Sequence, residues 1–318
     1  MIINILLLLA GLALIIFGAD ALVDGASAIA RKAGISEFVI GLTIVGFGTS
    51  CPELVVSITG ALGGNADISI GNVLGSNIFN TLLILGITAV ILPVAVTVKN
   101  RKVDIPLMVA VSLLLPLMFV LGEISLISGI VMLVLFAAYI IFCFKTDENG
   151  GAEEQPGNDN SILSRISSHT VGAVSLIFAG LVALVAGGRL FVDYACIIAR
   201  ALGASDKFIA VTVLAAGTSL PELATSVVAA AKGKGQLALG NVVGSNIFNV
   251  LLILGASAVI TPLSMAGMDV VDIAVFTVSA LLLPLFAYTG KKDRLDRGEG
   301  VIMLVTFAAY YIYLISKI

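Results

Sequence analysis

The chain has 318 residues, 59% of them hydrophobic and only 12% charged, with a net charge of −3 and a mean hydropathy of +1.14. A soluble domain cannot hide so much apolar surface, so the composition predicts an integral membrane protein whose surroundings are the lipid bilayer. The small net charge argues against a nucleic-acid partner, and three scattered cysteines (Cys51, Cys143, Cys196) with a lone His169 in a polar stretch leave no disulfide framework and no zinc, copper or haem site.

A membrane-crossing helix needs about 20 mostly apolar residues. The first run, 2–23, lacks the basic residues that open a secretory leader, and a matching segment, Val171–Gly188, starts the second half of the chain. It is read as a retained span. The second run, 39–60, is VIGLTIVGFGTSCPELVVSITG, with Gly46, Gly48 and Pro52 in its middle. Proline removes a donor and clashes with the carbonyl four residues back, here Gly48, so the helix should break there. Backbone carbonyls freed at that depth are tolerated only when buried in protein or lining a cavity. Beside the break stand Thr49, Ser50 and a glutamate, Glu53.

The third run, 70–94, opens with GNVLGSNIFN. Ser76 and Asn80, four apart, share one helix face, and Asn77 is rotated by about 100° from Ser76. Gly71 and Gly75 are spaced to let another helix approach closely. Runs 104–121 and 124–143 are plain apolar spans. Thr146–Asn160 (TDENGGAEEQPGNDN) is acidic, glycine-rich and lacks the ligand spacing of an EF-hand loop, so it reads as a solvated connector. Residues 146–168 then divide the chain into units 1–145 and 169–318.

The second unit repeats the first. GTSCPE at 48–53 returns as GTSLPE at 217–222, and GNVLGSNIFN at 71–80 returns as GNVVGSNIFN at 240–249, both at an offset of 169 positions. Gly18–Pro93 matches Gly187–Pro262 without a gap, with roughly half the residues identical. Thr218, Ser219, Glu222, Ser245 and Asn249 are therefore the counterparts of Thr49, Ser50, Glu53, Ser76 and Asn80, while Ala215 replaces Gly46. The remaining spans are 170–192, 208–230, 239–262, 270–288 and 299–316. The expected fold is all-α: ten transmembrane helices in two five-helix repeats, with helices 2 and 7 broken. Five is odd, so the second repeat must cross the membrane in the opposite sense. With both termini outside, thirteen of the seventeen basic residues fall on the inner side, and only Arg189, Arg200, Lys207 and Lys317 lie outside.

Carboxylates in hydrocarbon are costly, so a pair of them at symmetric positions marks the functional site. The ligands on offer are two carboxylates, hydroxyls, amide carbonyls and freed backbone carbonyls; none is nitrogen or sulfur. That set suits calcium or sodium, and two carboxylates balance one divalent or two monovalent cations. Asn77 and Asn246 are expected to brace the broken helices rather than touch the ion.

These motifs resemble the α-repeats of the sodium/calcium exchangers in the cation/calcium antiporter superfamily. The resemblance implies ion sites at the midplane between helices 2, 3, 7 and 8. The implied ligands are Glu53, Thr49, Ser50, the Gly46 carbonyl, Ser76 and Asn80, with Glu222, Thr218, Ser219, the Ala215 carbonyl, Ser245 and Asn249. Potassium-dependent members look like SNIFD where this chain has Asn249, so it looks more like the prokaryotic potassium-independent type. The expected activity is sodium-for-calcium antiport at the cell membrane by alternating access, with calcium driven outward and helices 1 and 6 sliding as gates. Calcium and sodium are cargo, and no cofactor, catalytic residue or protein partner is implied. A proton/calcium exchanger using the same glutamates stays open. A cation channel is a weaker rival because the pseudo-symmetry lies within one chain, and an intramembrane hydrolase lacks any catalytic grouping.

Overall fold

The computed structural model describes residues 1–64, 66–147, 162–204, 209, 213, 215–289 and 293–317. The labelled helices are α1 (Ile2–Ala33), α2 (Glu37–Thr49), α3 (Cys51–Leu62), α4 (Asp67–Ile91), α5 (Asn100–Leu121), α6 (Leu126–Lys145), α7 (Thr170–Ala201), α8 (Leu220–Ala231), α9 (Gly235–Ile260), α10 (Val270–Thr289) and α11 (Arg297–Ser316). Eight helices among the described residues are long and apolar enough to cross a bilayer, or nine when the bent pair α2 and α3 counts as one span. The tenth expected span, 208–230, falls partly outside the described residues, as does most of the connector; what is described of that span is 209, 213 and 215–230, helical over Ala215–Gly217 and in α8.

The outer two helices of the sequence reading are longer than expected. Spans 2–23 and 170–192 are the first parts of α1 and α7, each 32 residues and so about 48 Å long. Hydropathy ends both spans near their first charges, but the helices run on; in α1, Asp20 and Asp24 are paired with Lys232. α1 and α7 pack against each other antiparallel. Gly11 abuts Gly187 and Phe191, Gly18 abuts Gly180 and Leu184, and Gly25 abuts Ala173 and Ile177. A Cβ on Gly18 would stand 2.8 Å from the Gly180 carbonyl oxygen, and one on Gly180 2.7 Å from that of Gly18. Gly11 and Gly180 are repeat counterparts, as are Gly18 and Gly187, so the seam is a pseudo-twofold axis between sequence-related helices.

Two short antiparallel ladders establish the inversion independently. β1 (Val94–Ala95) and β2 (Glu123–Ile124) lie at opposite ends of α5; β3 (Leu263–Ser264) follows α9 and β4 (Arg294–Leu295) precedes α11. β1 pairs with β4, Val94 opposite Leu295, and β2 pairs with β3, Ile124 opposite Leu263. By the repeat offset Leu263 is the counterpart of Val94, yet the two strands sit at opposite ends of a helix about 33 Å long. The halves are inverted, as the expected five helices per repeat require.

Related sequences do not stand in identical surroundings. Glycines 240 and 244 of α9 are pressed against the carbonyls of Phe38 and Leu42 on α2, leaving no room for a Cβ. Their counterparts Gly71 and Gly75 are exposed. The expectation that all four glycines admit a neighbouring helix is thus met in one repeat and corrected in the other. The same imbalance runs along the long helices. Residues 18–30 of α1 are almost all buried, whereas of their counterparts in α7 only Gly187, Gly188 and Cys196 are. The assembly is sealed at the end where α1 finishes and α9 begins, and looser at the other.

Candidate ion site

Each broken helix fails at a serine. Ser50 has φ −82° and ψ 4°, and Ser219 has φ −89° and ψ 7°, the sparsely occupied bridge between helix and extended backbone. α2 and α3 diverge by 46° there. The break falls two residues before each proline, which then occupies the first turn of the new helix, where a missing N–H costs nothing. Glu53 and Glu222 lie in that same first turn, beside unsatisfied backbone N–H groups and the positive end of the helix dipole. A buried negative charge is best tolerated at such a place.

Ser-x-x-Glu is the pattern of a local capping box, in which a serine and the glutamate three residues on satisfy each other's turn. Here neither serine caps its own helix. Ser50 Oγ donates instead to Glu222 Oε1 at 3.0 Å, and Ser219 Oγ donates to Glu53 Oε1 at 3.2 Å. The partners are exchanged between repeats, which brings the two carboxylates into one cluster. Ser219 Oγ also reaches Ser76 Oγ at 3.3 Å. Glu53 and Glu222 are each 1% exposed.

Thr49 Oγ1 donates back to the Val45 carbonyl at 3.0 Å and approaches Asn241 Oδ1 at 3.3 Å. The Gly46 carbonyl still accepts the helical bond from the Ser50 N–H at 3.1 Å, and Ser245 Oγ also donates to it at 3.5 Å. Thr218 is half-buried at the matching turn, and Ala215 heads the short helical stretch Ala215–Gly217. Asn80 and Asn249 are both buried and lie in wide π turns, Phe79–Ile84 and Asn249–Leu254. Hydropathy gives no sign of these turns, which re-aim the second half of each motif.

Four buried oxygens at repeat-matched positions of the motifs have no partner: Glu53 Oε2, Glu222 Oε2, Asn80 Oδ1 and Asn249 Oδ1. Buried acceptors left bare are expensive unless something positive meets them. They come in matched pairs from the two repeats, and all are hard oxygen donors that fit a hard cation. The carboxylates of Glu53 and Glu222 are the two acidic groups that the exchanged serines bring together here.

Two asparagines that the sequence reading passed over hold the acids in place. Asn72 Nδ2 donates to the Glu53 carbonyl at 3.1 Å and to Ser57 Oγ at 3.0 Å; Asn241 Nδ2 donates to the Glu222 carbonyl at 3.4 Å and to Ser226 Oγ at 2.9 Å. Both sit within the duplicated GN pair, and that repetition was their signal. Asn77 and Asn246 behave differently from expectation. Asn77 Nδ2 donates to the Asn246 carbonyl at 3.1 Å, Asn246 Nδ2 to Thr81 Oγ1 at 2.8 Å, and Asn249 Nδ2 to Asn77 Oδ1 at 2.8 Å. They clasp α4 to α9 rather than bracing the broken helices, because rotation about the helix axis points them across the pseudo-twofold.

Known proteins match this chain along almost its whole length. The family described as sodium/calcium exchanger protein matches residues 3–145 and 172–316. The chain is 35% identical to sodium/calcium exchanger MaX1 of Methanosarcina acetivorans over 98% of each protein. It is 32% identical to inner membrane protein YrbG of Escherichia coli, covering 96% of this chain and 94% of that one. Among solved structures, the sodium-calcium exchanger NCX_Mj soaked with sodium and calcium superposes with a TM-score of 0.82 at 36% identity, covering 99% of this chain and 98% of that one. Two inverted repeats, their exchanged Ser–Glu pairs and these full-length matches lead to one conclusion: the chain belongs to the sodium/calcium exchanger family of membrane transporters.

Proposed function

We propose that the protein exchanges sodium for calcium by alternating access, with Glu53 and Glu222 as the shared charges of one cage. The exchanged serines carry this reading, since they couple the two acids across the repeats and leave one bare oxygen on each. Calcium takes both carboxylates, the hydroxyls of Thr49, Ser50, Thr218 and Ser219, and the carbonyls of Gly46 and Ala215 as needed. Sodium ions spread over the same oxygens and onto Ser76, Asn80, Ser245 and Asn249. With Asn249 neutral, potassium is not part of the cycle.

Charge explains why this yields exchange and not leak. An empty cage holds two anions in a water-poor interior, a state that desolvation makes costly to close. One calcium or at least two sodium ions remove that cost, so the gate passes loaded cages preferentially. The two ions compete for the same charges, and a sodium gradient drives calcium outward, with the termini outside and more sodium charge entering than calcium charge leaving. The glycine seam lets α1 and α7 slide over the cage as gates.

The test is calcium uptake into sodium-loaded proteoliposomes. Uptake should require the sodium gradient and fail when potassium or a pH step replaces it. Uptake driven by the pH step alone would assign the glutamates to proton exchange.

A further inference from the structure

An inverted repeat has a thermodynamic consequence. If the halves were identical, the states open to either side would be equal in free energy, so any preference must come from residues that differ between repeats. One cluster of charges differs at three of its four positions. At the sealed end, the turn between α8 and α9 is Lys232-Gly233-Lys234. Gly233 is left-handed (φ +76°), its N–H bonds the Ala230 carbonyl at 3.0 Å, and the Lys234 N–H bonds the Ala229 carbonyl at 2.8 Å. This terminator throws both flanking lysines toward α1. Lys232 Nζ lies 2.5 Å from Asp20 Oδ1 and 2.7 Å from Asp24 Oδ1, and Lys234 Nζ lies 3.4 Å from Asp24 Oδ1. Asp24 is 6% exposed, and its second oxygen has no partner.

The first repeat makes the same turn with no charge in it. Gly64 is left-handed (φ +73°) and bonds the Ala61 carbonyl at 3.0 Å, but the residues matching Lys232 and Lys234 are Gly63 and Asn65. The counterpart of Asp24 is Asp193, while that of Asp20 is Arg189. The opposite end thus has the left-handed glycine and keeps one acid, Asp193, but lacks both lysines of the turn.

We infer that Asp20, Asp24, Lys232 and Lys234 form a one-sided latch that pins the end of α1 to the α8–α9 turn. It favours the state closed at that end and open at the other. This rests on the alternating-access reading, since a latch matters only if α1 moves. When the cage turns to face the sealed end, α1 leaves the turn and these pairs part. The latch therefore taxes calcium capture from the α8–α9 side by the fraction of molecules held closed, and spares capture from the other side.

The experiment compares the full chain with the Lys232→Gln/Lys234→Gln variant and, separately, Asp24→Asn, in proteoliposomes where calcium is titrated on one face at a time. Loss of the latch should raise apparent calcium affinity on the α8–α9 face by about five-fold or more and lower it on the other face. Opposite shifts on the two faces cannot come from poor folding, which lowers flux on both. Unchanged affinities, or parallel losses in both variants with normal yield and thermal stability, would overturn the latch. Absence of sodium-driven uptake in the unaltered protein would instead overturn the exchange reading beneath it.

Discussion

At the scale of single residues, the exchanged Ser–Glu pairs give the sharpest expectations. Glu53→Gln keeps size and removes charge, and should abolish sodium-driven calcium uptake; Glu222→Gln should do the same. Ser50→Ala should behave as a lesion of Glu222, not of the neighbouring Glu53, because its hydroxyl serves the other repeat. A hydrogen bond to a charged group is worth about 1.5–3 kcal/mol, so calcium affinity should fall by about ten- to a hundred-fold. In a double variant, Ser50→Ala should add little to Glu222→Asp, which keeps the charge and shifts the carboxylate away from that hydroxyl, but add fully to Ser219→Ala. Calcium binding measured across this cycle checks it; additivity with Glu222→Asp would place Ser50 elsewhere. The identity of these residues was readable from the duplicated motif alone. Their pairing was not, because Ser-x-x-Glu is equally the pattern of a local cap, and only the three-dimensional crossing of the repeats decides which glutamate each serine meets.

At the scale of elements, packing separates glycines that the sequence treats alike. A Cβ on Gly240 would collide with the Phe38 carbonyl, whereas Gly71 is exposed. Gly240→Ala should therefore destabilise the protein by about 1–3 kcal/mol, seen as a lower thermal midpoint in detergent. Gly71→Ala should leave that midpoint unchanged and slow exchange, because the sliding state asks Gly71 to do what Gly240 does here. Equal effects on the midpoint would mean that the asymmetry is not one of packing. Span positions were legible because hydrocarbon demands long apolar runs. The end of α1 was not, since paired charges such as Asp24 with Lys232 extend a helix past the point where hydropathy stops. A further part of the repeat also lay in view. LLLP at 113–116 returns at 281–284 and FAAY at 136–139 returns at 307–310, at offsets that drift from 168 to 171 and so escape a search at 169. The second FAAY places Tyr310 Oη 2.9 Å from Asp272 Oδ1, tying α11 to α10.

At the scale of the whole molecule, sequence symmetry and structural asymmetry together make a transporter. The inversion is visible in the antiparallel glycine seam and in the two strand ladders, and on the alternating-access proposal it supplies two equivalent ways of closing. On the same proposal, the differences at Gly71 against Gly240 and at Lys232 and Lys234 against Gly63 and Asn65 decide which one is occupied. Parity alone revealed the inversion, since five helices cannot return a chain to its starting side. Which end is sealed was hidden, because motifs with the same residues carry no information about the state they adopt.

The central claim is that calcium and sodium share one cage built on Glu53 and Glu222. Equilibrium calcium binding to the purified protein, titrated at several sodium concentrations, tests it most directly. Competition predicts that sodium raises the apparent calcium Kd without lowering the number of sites, and that Glu53→Gln removes calcium binding altogether. Calcium binding indifferent to sodium, or retained at full affinity in Glu53→Gln, would contradict it.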